Sequence, residues 1–373
     1  MGRRGHGEGS ITQRKDGRWM AALTLDNHKR KYFYGRTRKE VQDKLNKALY
    51  EQKQGTLATG PQQTVGTCLE NWLEQVVKLT RRFNTYKGYR SVIYRHLIPA
   101  FGHIKLQKLT IGHLQAFFAE KAQNLKPRML VIMRSALIGA IDDAVKQGFI
   151  GRNVAKFIDL PAVERYEGQV LTVEQARKLL EVARGSRLDT LLLVAITTGM
   201  RRGELAALHW SDVDLEKGVL QVRHTLVRVL GKGLVESSPK TKAGRRKIML
   251  PGVVIKALKE HQAMQEQARV KMGDRWRECG VIFCNTQGYY IEPDHIRVLF
   301  KGLLKKAGLP DVRFHDLRHG AATVLLAAGV PLKVVSELLG HSSVAITADI
   351  YAHVLPEQQQ EVVKKMNDLY GGF

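Results

Sequence analysis

The chain has 373 residues, which is long enough for two or three domains, each with its own hydrophobic core. Its 60 Lys and Arg against 35 Asp and Glu give a net charge of +25, which favours a polyanionic partner, nucleic acid above all. The cysteines number only three, and Cys279 and Cys284 lack a second Cys/His pair, which argues against a disulfide framework and against a zinc site. The polar N-terminus and the short aliphatic run 191–196 predict neither a secretion signal nor a membrane span.

Residues 1–60 predict a small basic module. Turn signals at 15–17 and 26–27 separate segments rich in β-forming residues, and Thr37 with Glu40 has the spacing of a capping box that opens a helix. The sequence therefore predicts a β-β-β-α unit over 10–54. The module carries 14 Lys and Arg against 6 Asp and Glu, so its sheet is suited to lie in a DNA groove. A solvated appendage without a partner is the alternative.

After a linker at 54–63, residues 61–165 predict an all-helical domain. Two apolar stripes at helical spacing are expected to form its core, Leu69-Trp72-Leu73-Val76 and Leu130-Met133-Leu137-Ile141. Between them the segment 81–90 mixes basic and aromatic residues. Its candidate DNA contacts are Arg81, Arg82, Lys87 and Arg90. A charged, solvated helix face is the other interpretation of this segment.

Residues 166–373 predict a third domain of mixed α+β structure. A linker at 159–170 precedes Thr172, which forms a capping box with Gln175, and helices flank a stretch at 218–250 that alternates like a β-meander. The fold class is therefore multidomain and mainly α with small β-sheets. No internal repeat is visible, which excludes a solenoid.

One candidate site begins at Thr198-Gly199-Met200-Arg201, directly after the apolar run 191–196. Gly199 is expected to end that helix and place Arg201 at a cleft, where a guanidinium can bind two phosphate oxygens at once. Glu204, three positions later, can orient an arginine or histidine, although a plain charge at a helix N-terminus is equally compatible. From the residues alone, the adjacent Arg202 is a rival to Arg201.

Further polar residues lie far along the chain. His315 and Arg318 have i, i+3 spacing on one helix, and His341 follows Gly340 at the predicted end of an apolar helix. A histidine titrates near neutrality and can take or return a proton, whereas the phenol of Tyr351 must lose its proton to act as a nucleophile. His319 is expected to lie on another face with a structural role.

These motifs, in this order, resemble the tyrosine recombinase (phage integrase) family. The resemblance implies that Arg201 and Arg318 bind the scissile phosphate, that His315 and His341 move protons, and that Tyr351 attacks phosphorus to give a 3′-phosphotyrosine. The family pattern selects Arg201 over Arg202. It also places the lysine that protonates the leaving oxygen at Lys240, on a basic hairpin tip, with Lys242 as the alternative. Other residues of this tip, including Lys242 and Arg245, are candidates for ordinary phosphate contacts.

The resemblance implies a site-specific recombinase that integrates, and with a partner excises, a phage or mobile-element genome. In the family the N-terminal module holds arm-type sites, and the helical core-binding (SAM-like) domain closes over the duplex opposite the catalytic domain. The alternatives are a chromosome-dimer resolving recombinase, which ordinarily lacks the N-terminal module, and a catalytically inactive architectural protein. A metal-dependent nuclease would need clustered carboxylates, and Asp212 and Asp214 have no third partner in a supporting motif. No metal and no cofactor are expected.

The expected partners also follow from the resemblance. They are double-stranded attachment sites, three further copies of this chain in a homotetramer on DNA, an excisionase and a host DNA-bending protein, all in the cytoplasm of a bacterial host. Residues 357–369 predict an apolar-striped helix. It can pack on its own domain or on a neighbouring protomer, and we expect the second arrangement.

Overall fold

The computed structural model describes residues 9–25, 30–54, 57, 60–163, 169–229, 231–239 and 242–351. The chain divides into two compact units, Met1–Arg165 and Tyr166–Phe373. Within the described ranges no helix combines the length and the apolar character that crossing a bilayer requires.

The first unit opens with a three-stranded antiparallel sheet and a helix. The elements are β1 Ser10–Gln13, β2 Trp19–Thr24, β3 Arg30–Gly35 and α1 Arg38–Lys53, with strand order β1-β2-β3. Leu23 on the central strand packs with Val41 and Leu45 of α1 in a small buried core. The predicted β-β-β-α order is confirmed.

The start of α1 differs in one detail from the predicted capping box. The backbone N–H of Glu40 donates to Thr37 Oγ1 at 3.2 Å, as the motif requires. The Glu40 carboxylate instead accepts from the backbone N–H of Arg36 at 2.9 Å. The motif therefore marks the helix start correctly, although the reciprocal bond goes to the residue before the cap.

The rest of the first unit is helical. Its α-helices are α2 Val65–Asn71, α3 Lys78–Thr80, α4 Phe83–Val92, α5 Ile98–Phe101, α6 Ile111–Ala122 and α7 Pro127–Lys146. A π-helical segment Trp72–Val77 joins α2 to α3, and another at Ile93–Leu97 joins α4 to α5. Both predicted apolar stripes face one core, in which Leu73 and Leu137 are fully buried.

The second unit contains most of the remaining helices around a second core. They are α8 Val173–Ala183, α9 Asp189–Thr198, α10 Arg202–Ala206, α11 Gly252–Met272, α12 Pro293–Lys306, α13 Asp316–Ala327, α14 Leu332–Leu339 and α15 Val344–Tyr351. The capping box predicted for α8 is present. Gln175 N–H donates to Thr172 Oγ1 at 3.2 Å, and Thr172 N–H donates to Gln175 Oε1 at 3.0 Å.

The strands of the second unit are β4 Val213–Asp214, β5 Val219–Val222, β6 Thr225–Val229, β7 Gly233–Ser237 and β8 Arg246–Met249. Sequence alternation predicts a meander, in which β5 would pair with β6. The observed sheet has the order β4-β5-β8, and β6 and β7 form a separate hairpin. Leu220 lies opposite Ile248 and both are buried, so the shared apolar face selects β8 as the partner of β5.

Candidate active site

The site begins where α9 ends at a glycine. Gly199 has φ +61°, in the left-handed region, and a Cβ at this position would lie 2.5 Å from Leu339 Cδ2. Its carbonyl accepts a hydrogen bond from Arg318 Nη1 at 2.9 Å. One residue without a side chain thus lets α14 approach α9 and also holds a guanidinium.

Arg201 follows in extended conformation as the N-cap of α10 and is held by Glu204. Arg201 Nη1 donates to Glu204 Oε1 at 2.7 Å, and the backbone N–H of Arg201 donates to Glu204 Oε2 at 3.0 Å. Arg201 Nη2 donates to the Gly340 carbonyl at 3.3 Å. Its neighbour Arg202 instead pairs with Asp294 at 3.2 Å, so the two adjacent arginines have different surroundings.

Glu204 is only 3% exposed, and a second arginine balances its charge. Arg246 Nη2 lies 3.0 Å from Glu204 Oε2. Burial alone would raise the pKa of Glu204, but the positive charges and hydrogen bonds of Arg246 and Arg201 outweigh it and hold that pKa below its usual value. The carboxylate therefore stays ionised at neutral pH.

Sequence reasoning did not single out Arg246. It belongs to the basic cluster at 239–247, in which Lys240, Lys242 and Arg245 were the predicted DNA-facing residues. The available signal was strand alternation, because Arg246 lies on the same face of β8 as the buried Ile248, whereas Arg245 is exposed. Because side chains alternate between the two faces of a strand, this pattern predicts that Arg246 is buried and that Arg245 is not.

His315 and Arg318 stand at the start of α13. His315 is the N-cap residue, and Arg318, which is 2% exposed, lies on the first turn. The buried Asp316 accepts hydrogen bonds from Arg313 Nη2 at 2.7 Å and Arg313 N–H at 2.8 Å, which fixes this helix start. Sequence reasoning placed His319 on another face, but its ring centroid is 5.1 Å from that of His315.

His341 is presented by the turn that ends α14. Gly340 has φ +68°, and a Cβ there would lie 2.7 Å from the carbonyl oxygen of Ala243. This close approach brings the turn at Lys242–Gly244 against the end of α14. His341 Nδ1 shares a hydrogen bond of 2.7 Å with the hydroxyl of Thr347, a buried residue of α15.

Both histidines are held neutral in this site. Burial lowers the pKa of His315 to about 4, assisted by His319 and by the positive charges of Arg318 and Arg201. His315 is exposed on one side of its ring, and the protein packed against the other side desolvates the imidazolium. Burial likewise lowers the pKa of His341 to about 4, with Arg318 and Arg201 as the next causes. The shared influence of both arginines places the four side chains in one electrostatic cluster.

The structure thus brings together Arg201, Glu204, His315, Arg318 and His341 from three separate stretches of the second unit. Lys240 lies outside the described residues, as do the side chains of Lys242 and Tyr351; the backbone of Tyr351 ends α15. The predicted helix at 357–369 also lies outside them. The remaining candidates are exposed, Arg245 in the second unit and, in the first unit, Arg81, Arg82, Lys87 and Arg90.

Several acidic residues of the second unit are paired with arginines of the protein, among them Glu204, Asp212 and Asp316. In the part of the chain that the structure describes, no three His, Cys, Asp or Glu side chains are grouped to hold a metal ion. Asp212, a ligand candidate by its sequence position, is buried, and its Oδ1 lies 3.5 Å from Arg223 Nη1. Its partner is therefore a guanidinium.

Comparison with known proteins identifies the family. Residues 169–358 match the Phage integrase family, and residues 64–122 match the Phage integrase, N-terminal SAM-like domain. The chain is 34% identical over 362 residues to a tyrosine recombinase XerC-like protein of Caldanaerobacter subterraneus, covering 91% of this chain and 92% of that protein. It is 28% identical to an integrase of Saccharopolyspora erythraea, covering 98% of each. The chain belongs to the phage integrase family of tyrosine recombinases.

Solved structures agree on the fold. The Tn1549 transposon integrase in complex with transposon right end DNA superposes with a TM-score of 0.70 at 22% identity, covering 81% of this chain and 99% of that one. A lambda integrase dimer bound to a COC′ core site gives 0.57 at 18% identity, covering 91% and 93%. The expected fold class is confirmed. As a tyrosine recombinase, the protein is an enzyme that breaks and rejoins DNA strands in site-specific recombination.

Proposed function

We propose that this protein is an integrase of a phage or mobile element that cleaves and rejoins DNA through a 3′-phosphotyrosine on Tyr351. The observation that carries the proposal is the cluster of two guanidiniums and two neutral imidazoles, Arg201, Arg318, His315 and His341. These four residues come from three separate stretches of the chain and influence one another electrostatically, and Arg318 and Arg201 donate to the carbonyls of Gly199 and Gly340. A single phosphodiester is the natural ligand for such a cluster.

Arg201 and Arg318 neutralise the phosphoryl group. Each guanidinium is already oriented by a backbone carbonyl, and Arg201 also by a buried carboxylate, so little reorganisation is needed when the phosphate arrives. Such donors contribute most when they face the charge that develops on the non-bridging oxygens in the transition state. Their role is to stabilise the pentacoordinate phosphorus, not to transfer protons.

Proton transfer falls to the histidines and a lysine. The neutral His315 or His341 accepts the Tyr351 phenolic proton as the tyrosine oxygen bonds to phosphorus. The bond from phosphorus to the 5′ oxygen then breaks, and Lys240, or Lys242 as the alternative, protonates that oxygen. Attack by a 5′ hydroxyl of a partner strand reverses these steps, so rejoining needs no ATP and no metal ion.

The other parts of the chain hold the DNA. We assign residues 1–60 to arm-type sites, 61–165 to clamping the core site and 166–373 to catalysis. The sheet of the first unit supports the first assignment, because the face away from α1 exposes Tyr32 and Tyr34, with the Arg14 guanidinium 5.5 Å from the ring centre of Tyr34. The enzyme then works in the bacterial cytoplasm as a homotetramer on attachment sites, with an excisionase and a host DNA-bending protein controlling direction.

Chromosome-dimer resolution is the second candidate, supported by the name of the XerC-like relative. The N-terminal sheet and helix favour integration, because an enzyme that acts only at a core site has no need of a further DNA-binding module. Matches to integrases, including the ICEBs1 integrase of Bacillus subtilis at 27% identity, support the same choice.

A suicide substrate tests the chemistry. In a core-site duplex nicked a few nucleotides downstream of the scissile phosphate, cleavage releases the short fragment that carries the new 5′ hydroxyl. Its loss prevents rejoining and traps any covalent complex. Tyr370 is the other tyrosine that follows His341 in the sequence and provides the control. In EDTA we expect a protein–DNA adduct with the unmodified protein and with Tyr370→Phe, but none with Tyr351→Phe. An adduct in Tyr351→Phe, or cleavage that requires Mg²⁺, would reject the proposal, and a chain that binds the site without cleaving it would be the architectural protein.

Deletion of residues 1–60 separates integration from dimer resolution. Recombination between full attachment sites with arms should be lost in the truncated protein, while adduct formation on the core-site suicide substrate continues. Equal recombination by the full and truncated chains would favour the resolvase.

A further inference from the structure

Arg246 occupies a central place between the segments of the site. Its side chain is 6% exposed. Its Nε donates to the Leu338 carbonyl at 2.5 Å, its Nη1 to the Gly244 carbonyl at 3.2 Å and its Nη2 to Glu204 at 3.0 Å. Each of the three guanidinium nitrogens therefore faces a protein oxygen.

These three acceptors belong to three different chain segments. Glu204 lies on α10 and holds Arg201, and Leu338 lies on the last turn of α14 shortly before His341. Gly244 ends the turn Lys242–Gly244 in the loop from β7 to β8. The predicted hairpin at this basic segment is wrong, because β7 pairs with β6 and β8 pairs with β5. The packing is close, because a Cβ on Gly340 would lie 3.1 Å from both Cδ and Nη1 of Arg246. A single planar side chain thus fixes the spacing of segments that carry separate parts of the site.

We propose that Arg246 is a positioning residue, which sets Arg201 through Glu204 and the His341 turn through the Leu338 carbonyl without touching DNA. This inference rests on the function proposed above. Its location in a cluster of basic residues at a predicted DNA-facing loop would suggest a phosphate contact. Its N–H groups instead donate to oxygens of the protein, so the guanidinium faces the protein interior.

The physical role follows from the charge of Glu204. Two arginines share this buried carboxylate, so Arg246 takes up part of its negative charge and leaves Arg201 able to bind a phosphate. Without Arg246, one carboxylate oxygen would lose a buried partner, and the ionised Glu204 that holds Arg201 in position would be less stable. The chemical step should then suffer more than the binding of the duplex.

The neighbouring Arg245 provides a matched control, because it is exposed next to Arg246 in the chain. Duplex affinity is measured in a Tyr351→Phe background, and the rate of adduct formation is measured in single turnover at saturating suicide substrate. Arg246→Met should slow adduct formation on the order of 10²-fold and leave affinity nearly unchanged, as expected for a misplaced catalytic group. Arg245→Met should weaken affinity, lower its salt dependence and keep the saturated rate.

A pH profile separates positioning from general destabilisation. The charged groups that contact Glu204 are Arg201 and Arg246, and both favour its ionised form. Removing Arg246 raises the pKa of Glu204, so the saturated rate of Arg246→Met should begin to fall at a higher pH than that of the unmodified protein. Arg246→Lys keeps the charge, but its single nitrogen cannot reach the three acceptors that the separate guanidinium nitrogens bind. This variant should therefore restore the pH at which the rate falls and only part of the rate.

Several outcomes would overturn the assignment. A full saturated rate of cleavage by Arg246→Met would reject it. A fall in affinity and salt dependence like that of Arg245→Met would make Arg246 a phosphate ligand. If Arg246→Met does not fold, Arg246→Lys decides alone, and a full rate in that variant rejects the proposal. Absence of an adduct with the unmodified protein in the same assay would reject the proposed function itself.

Discussion

The buried arginines of the candidate site and the basic residues at the start of α4 differ in how strongly the protein fixes their side chains. In the second unit, the side chains of Arg318 and Arg246 are almost fully buried. Backbone carbonyls orient both of them, and the Glu204 carboxylate also orients Arg246. In the first unit, Arg81, Arg82 and Lys87 are exposed at the start of α4. The same kind of charge is thus fixed in the candidate site of the second unit and solvated at the start of α4.

This difference predicts that the buried group governs the rate of catalysis and the exposed group the affinity for DNA. A buried guanidinium costs desolvation energy and is retained where its direction matters, because a fixed donor can favour a transition state over a ground state. An exposed lysine or arginine acts mainly by releasing counterions from DNA, which requires no fixed geometry. Substitutions in the two groups should therefore affect different measurable quantities.

The largest effect is expected at Arg201. Arg201→Met should lower the single-turnover rate of adduct formation about 10³-fold, because the site then lacks a preoriented donor to the developing phosphoryl charge. Arg202→Met is the control, since Arg202 pairs with Asp294 and not with Glu204. A comparable loss of rate in both variants would contradict the view that the orientation of Arg201 by Glu204 is what makes it effective.

Substituting the exposed group should change affinity. Replacing Arg81, Arg82, Lys87 and Arg90 together by Ala should weaken core-duplex binding on the order of 10²-fold at moderate salt and reduce the salt slope by about 0.9 for each phosphate that is no longer neutralised. The rate at saturating DNA should be unchanged. Arg269→Ala, which removes a guanidinium paired with Glu266 on α11, is the control in a titration against salt concentration. A reduced saturated rate would contradict the division between the two groups.

Gly199 tests how far the fixed geometry depends on one close approach. Gly199→Ala should destabilise the protein by about 2–3 kcal/mol, from the positive φ together with the steric overlap with Leu339. Gly329→Ala is the matched control, because Gly329 has φ +80° with nothing within 4 Å of a Cβ, so only the backbone cost of about 1 kcal/mol remains. Chemical denaturation measures both free energies of unfolding. Equal destabilisation would mean that Leu339 moves aside freely.

The smallest effect concerns acid stability. The pKa values of His315 and His341 are about 4 in the folded protein, below the ordinary value of 6.5. The unfolded chain therefore binds more protons between pH 6.5 and 4, and stability should fall as pH decreases through that window. Thermal unfolding at successive pH values measures this. A double His315→Gln/His341→Gln variant should show a flatter dependence, and an unchanged slope would contradict the assignment.

Much of the site could be predicted because local signals fix its parts. Gly199 and Gly340 end helices in the sequence as they do in the structure, and the spacing from Arg201 to Glu204 predicts their ion pair. These features depend on a few neighbouring residues. The catalytic roles of the site residues remain predictions that the variants above test.

The parts that sequence reasoning missed depend on pairing between distant segments. The choice of β8 as the partner of β5 determines that Arg246 points inward and meets Glu204, and no local pattern reveals that choice. His319 is similar, because its position near His315 depends on how the first turn of α13 lies in the site. The alternation along β8 indicates that Arg246 shares a face with the buried Ile248, but it does not indicate which strand or residue Arg246 meets.

The hydrogen bond between His341 and Thr347 connects the imidazole to the helix that carries the proposed nucleophile. Thr347 and Tyr351 lie one turn apart on α15, so a displacement of the whole helix would move the tyrosine and also break the bond to His341. A protein molecule whose α15 is retracted would therefore lack both the proposed nucleophile and the hydrogen bond that orients His341. A single displacement of α15 would thus control both the position of the tyrosine and the orientation of the imidazole, so that both conditions for strand cleavage are met or lost together.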